Sequence, residues 1–124
     1  MDYFLLAREG WGISEQQLTQ LLRAQWPSIH IEKITKPTDS HCIEFQLPMK
    51  ESPLQGALNR DGSAIIYFGA MRDCAEFALW YQSVVPPEAR PLQLFDEGYN
   101  RSIELQDRTT VEDILNALGY IPPT

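Results

Sequence analysis

The stretch Leu54 to Phe68 reads LQGALNRDGSAIIYF, and its punctuation decides the fold. Asp61-Gly62 is a favoured pair for a two-residue type I′ hairpin turn, and Leu54–Arg60 and Ser63–Phe68 flank it as strands. That turn sets Leu58 opposite Ile65 and Gly56 opposite Tyr67. The second strand is apolar on both sides, with Ile65 and Tyr67 on one and Ile66 and Phe68 on the other. Such a strand belongs inside a sheet rather than at its edge. Gly69 ends it.

The hairpin has neighbours on both sides. Upstream, Ile29 and Ile31 alternate with His30 and Glu32, and Ile43, Phe45 and Leu47 alternate with Cys42, Glu44 and Gln46. The turn formers Lys36-Pro37-Thr38-Asp39-Ser40 join them. With the apolar sides on one face, Ile31 pairs with Phe45 and Glu32 with Glu44, so two carboxylates meet on the outer face. Before these strands, Ser14 and Gln17 form a capping box. Leu18, Leu21, Leu22 and Trp26 follow at helical spacing, and Pro27 stops a helix over Glu15–Gln25. Tyr3 to Ala7 reads equally as a strand or as the lead-in to that helix.

Downstream, Cys74, Phe77, Ala78 and Tyr81 form one stripe of a helix over Met71–Val84, closed by Val85-Pro86-Pro87. Leu92–Phe95 and Ser102–Leu105 predict a third hairpin around Asp96–Asn100. Gly98 and Asn100 are the residues there suited to positive φ. Thr109 with Glu112 predicts a second capping box, opening a short helix that ends at Gly119. No internal repeat or linker interrupts the pattern. The expectation is one α+β domain over residues 1–124: an antiparallel sheet of about six strands built from hairpins, with about three helices packed mainly on one face.

The composition narrows the function. The 124 residues are 44% hydrophobic, which suits a globular core, and carry seventeen acidic against ten basic side chains, a formal charge of −7. A chain this acidic is poorly suited to nucleic acid or anionic lipid, which are held through Lys and Arg, and better suited to a basic partner. Neither a signal peptide nor a membrane span can be read from it, and the two cysteines, Cys42 and Cys74, lack metal-ligand spacing. The expected setting is cytoplasmic, with free thiols and no cofactor.

No phosphate loop, dinucleotide-binding glycine motif, HExxH or GxSxG pattern occurs. His41 and Cys42 are adjacent, so in a strand they point to opposite faces and cannot act as base and nucleophile together. His30 falls on the outer face beside Glu32 or Gln46. A small enzyme using His30 or His41 with a carboxylate is the weakest of the available readings, and no catalytic residue is assigned. Trp11, in Gly10-Trp11-Gly12, reads as a staple onto the first helix.

The acids are informative by distribution. Glu88 to Asp113 holds seven acidic against three basic residues. Asp96 and Glu97 fall at a hairpin tip with Tyr99 beside them, as adjacent carboxylates expected to project into water. Charges that steer a partner, with one aromatic to anchor it, make Asp96, Glu97 and Tyr99 the first candidate binding group. Glu32 and Glu44 make the second.

Three stretches carry a resemblance: Gly56–Tyr67, then Ala75-Glu76-Phe77-Ala78-Leu79-Trp80-Tyr81 ending at Val85-Pro86, then Leu94-Phe95-Asp96-Glu97-Gly98-Tyr99. Together they resemble small bacterial immunity proteins, the cytoplasmic antidotes of polymorphic-toxin and contact-dependent inhibition systems. The resemblance spans Gly56 to Thr110. It implies a non-enzymatic protein that binds and occludes a cognate toxin domain, often a basic nuclease. The alternative from the sequence is a structural or adaptor module, homodimeric or of higher order, with a partner that is neither toxin nor basic.

Overall fold

Tyr3–Leu6 is a strand, and it completes the sheet. The computed structural model describes residues 2–36 and 38–119. Met1 of the leading segment and Pro37 of the first inter-strand connection therefore lie outside the described residues. Along the chain run β1 (Tyr3–Leu6), α1 (Glu15–Gln25), β2 (His30–Lys33), β3 (His41–Leu47), β4 (Leu54–Asn59), β5 (Ala64–Phe68) and α2 (Met71–Val84). A 3-10 turn at Pro87–Ala89 leads to β6 (Gln93–Asp96), β7 (Ser102–Glu104) and α3 (Val111–Ala117). Among the described residues the strands form one antiparallel sheet of seven, in the order β2-β3-β4-β5-β1-β6-β7. β1 is the strand beyond the six expected. It joins the two halves by pairing with β5 on one side and β6 on the other.

The hairpin register follows the sequence pattern: Leu58 opposes Ile65, Gly56 opposes Tyr67, and β5 lies inside the sheet. Ile31 opposes Phe45 and Glu32 opposes Glu44. The turn chemistry differs. Type I′ needs positive φ at both central residues. Gly62 has φ 76, but Asp61 is not left-handed, and residues 60–63 form a four-residue loop. The Asp61 carboxylate accepts the Ser63 N–H at 2.9 Å, and Gly62 N–H bonds the Asn59 carbonyl at 3.1 Å. The loop opens because Ile13 docks there, donating its N–H to the Gly62 carbonyl at 3.0 Å. A Cβ on Gly62 would lie 2.0 Å from the Ile13 oxygen, so only glycine fits.

The helices cover one face. α1 starts at the Ser14–Gln17 capping box, as its sequence requires. α2 buries the expected stripe of Cys74, Phe77, Ala78 and Tyr81, and Ala75 with it. Phe77 is the hub, stacked on Phe45 at 5.9 Å and Trp26 at 6.0 Å and tilted against Tyr67 at 4.9 Å. The sheet, α1 and α2 thus meet at one side chain. α3 begins one residue later than its sequence suggests. Thr110 is the cap and Asp113 the residue that reaches back, while Thr109 instead accepts the Gln106 N–H at 2.7 Å.

A second fixture has no sequence signature. Ala70, the residue capping α2, offers no side-chain oxygen, and the β3–β4 loop supplies the missing partner. Ser52 Oγ accepts the Ala70 N–H at 3.2 Å. In return the buried Asp73 accepts the N–H groups of Glu51 at 3.0 Å and Ser52 at 3.1 Å. The helix start and the loop satisfy each other's backbone groups.

Candidate functional site: the open face of the sheet

Strand pairing puts alternate residues on the face away from the helices. One row crosses all seven strands: Glu32, Glu44, Ala57, Ile66, Phe4, Phe95 and Ser102, each the direct partner of the next. It grades from two opposed carboxylates at one end to two phenylalanines near the other. Three strand spacings, about 14 Å, separate Glu44 from Phe4. The neighbouring row carries Phe68, 45% exposed, opposite Gln55.

Tyr99 completes the aromatic end. The β6–β7 turn folds it over the face, where it stacks on Phe4 at 5.2 Å with an 18° interplanar angle and tilts against Phe95 at 5.4 Å. It remains 60% exposed. Its φ of 56° is left-handed, which is uncommon for a bulky residue. The sequence assigned positive φ to Gly98 and Asn100 instead. The turn is built differently, and Asp96 builds it.

Asp96 does not project into water as the hairpin-tip reading required. It lies on the helix-side face opposite Tyr3 and is 8% exposed. Its Oδ1 accepts the Asn100 N–H at 2.9 Å and the Arg101 N–H at 3.3 Å, and its carbonyl accepts the Tyr99 N–H at 3.0 Å. The reason is parity. With β6 running to Asp96 rather than Phe95, residue 96 shares the inward side with Leu94. Four of the five candidate residues stay outward: Glu32 and Glu44 at the acidic end, Tyr99 at the aromatic end, and Glu97 exposed in the turn. Asp96 holds the turn that carries Tyr99.

The sequence reading missed Phe4, Phe95 and Phe68 as surface residues. The two-sided apolar pattern of Ile65–Phe68 was the available signal. It reports an apolar environment on both faces without telling cover by helices from exposure.

The remaining chemistry is quiet. Cys42 and Cys74 are buried and unbonded. Burial, with the neighbouring Asp73 charge, pushes the Cys74 thiol up to about 12, and burial is the main cause that raises Cys42. Neither is a thiolate nucleophile at neutral pH. Tyr67, fully buried, donates its hydroxyl to the Cys74 carbonyl at 2.9 Å, and burial holds it well above the usual tyrosine range. His30 is exposed opposite Gln46, and His41 Nδ1 lies 3.8 Å from Glu44 Oε2. Among the described residues no three His, Cys, Asp or Glu side chains gather as a metal site. Trp11 is not the expected staple: it lines a groove of about 500 Å³ with Leu21, Val84, Val85 and Pro86. The staple position before the Ser14 cap belongs to the buried Ile13. Among the described residues no helix is long and apolar enough to cross a membrane. Set against protein-family models, curated proteins and solved structures, the chain matches none of them.

Proposed function

We propose that the chain is a non-enzymatic cytoplasmic binding protein of the immunity type it resembles, which occludes a basic toxin domain by holding it on the open face of its sheet. One observation carries this reading: a sheet covered by helices on one face presents on the other an aromatic group at one end and opposed carboxylates at the other. Folding alone gives little reason for that arrangement. Glu32 and Glu44 directly opposed are unfavourable within the chain. Phe68 and Tyr99 leave about half of their apolar surface in water. A basic partner with an apolar centre relieves both. The net charge of −7 speeds its encounter, and the aromatic residues, desolvated on docking, slow its release.

The test is affinity capture from the native cell with two baits, the natural chain and a Phe68→Lys/Tyr99→Asn double variant. Asn tolerates the left-handed position, and the variant's melting midpoint is compared with that of the natural chain before capture. Recovery of a basic toxin domain by the first bait and not by the second is the expected outcome. A partner retained equally by both, or one that is acidic, overturns the proposal. Self-association through the same face, seen as a dimer by light scattering that the double variant abolishes, supports the adaptor reading instead.

A further inference from the structure

Tyr99 is exposed but not free to swing. Its inner ring face rests on Phe4, Phe95 flanks it, and its backbone is fixed by the turn that Asp96 holds. What remains is one aromatic face turned to solvent in a set orientation. Such a platform is electron-rich at its centre, and it binds a cation laid over it. Among protein cations the guanidinium is the best match, because it is planar, stacks, and is more weakly hydrated than an ammonium. Glu97, exposed in the same turn, provides a carboxylate for its N–H fork.

From this we infer that Tyr99 is the arginine-stacking platform of the open face, and that the basic partner docks with an arginine flat on its ring. The inference rests on the reading of that face as the site for a basic protein, and it adds the chemistry of the central contact. Charge complementarity selects the occupant, since a chain of net charge −7 draws a cationic surface. The strained backbone gives it a purpose: Gly or Asn would adopt φ 56° more easily, but neither carries a ring. Asp96 is then a positioning residue, which acts on the partner only through the placement of Tyr99.

The experiment titrates the whole chain with deca-arginine and, separately, deca-lysine, following backbone and aromatic resonances by NMR. Deca-arginine is expected to shift the Phe4, Phe95 and Tyr99 signals and to bind about 2- to 5-fold more tightly than deca-lysine. Tyr99→Phe keeps that preference. Tyr99→Leu, with its melting midpoint checked, brings deca-arginine down to the deca-lysine affinity. Equal affinities for the two peptides in the natural chain, or a preference that survives Tyr99→Leu, overturns the stacking inference. If both peptides still shift open-face signals, the basic-partner reading stands without it. If neither peptide shifts any open-face signal, both readings are overturned.

Discussion

Replacing Asp96 with alanine removes two hydrogen bonds from the β6–β7 turn. The Asn100 N–H at 2.9 Å is at full-strength distance, and the Arg101 N–H at 3.3 Å is near the limit. A bond to a charged acceptor contributes about 1.5–3 kcal/mol, and the longer one contributes a fraction of that. At 8% exposure, water replaces the lost acceptor poorly. The expected loss is about 2–3 kcal/mol. In a chain of 124 residues each kcal/mol moves the melting midpoint by about 3–5 °C, so Asp96→Ala melts about 6–15 °C lower. Asp96→Asn keeps an oxygen at the Oδ1 position and loses about 1 kcal/mol or less. Glu97→Lys, one residue along and exposed, stays within about 0.5 kcal/mol of the natural chain. Thermal melts by circular dichroism at neutral pH separate the three. An Asp96→Ala variant that melts with the natural protein, or a Glu97→Lys variant that falls as far, refutes the division of these neighbours into holder and surface residue.

Two further outcomes follow from the interior. Asp73→Ala leaves the Glu51 and Ser52 N–H groups without their acceptor and loosens the start of α2, at a cost of about 2–4 kcal/mol in urea titration. A loss below about 0.5 kcal/mol would mean that water takes over the role. Stability should also decline in alkali, because the unfolded chain releases the Cys74 proton near pH 9 and tyrosine protons near 10, while burial keeps both groups protonated in the fold. The Cys74 contribution is complete below about pH 9 and drains as pH rises toward its folded value of about 12, and the Tyr67 contribution drains as pH rises above about 10. Cys74→Ala makes the decline between about pH 9 and pH 10 shallower, leaving there the smaller part due to Cys42. A urea midpoint unchanged from pH 8 to pH 11 contradicts this.

Periodicity carries much of this fold. Helix α1 was legible to the residue, because Ser14 and Gln17 mark its start and Pro27 its stop. The central hairpin register was legible because a one-residue slip would turn Ile65 and Tyr67 out of the core. Tyr3–Leu6 was ambiguous because four apolar residues fit a strand or a helix lead-in, and only its two partners decide. The turn at Asp61-Gly62 was misjudged because Ile13, 49 positions away, pulls the loop open. The misplacement of Asp96 had a smaller cause with a larger effect. Extending β6 by one residue carries Asp96 from the turn into the strand, on the side that faces the interior. The acidic row was readable from Glu32 and Glu44 alone, whereas its aromatic end needed β1 to be placed between β5 and β6.

A partner of the proposed kind seats on the open face of the sheet. A photo-reactive benzoylphenylalanine at position 68, in the middle of that face, reads this directly when compared with the same group at position 20 on α1. Irradiated in the native cell, the position-68 protein is predicted to crosslink a basic partner, and the position-20 protein none. Crosslinking from position 20 with none from position 68 would contradict the account and move the site to the helices.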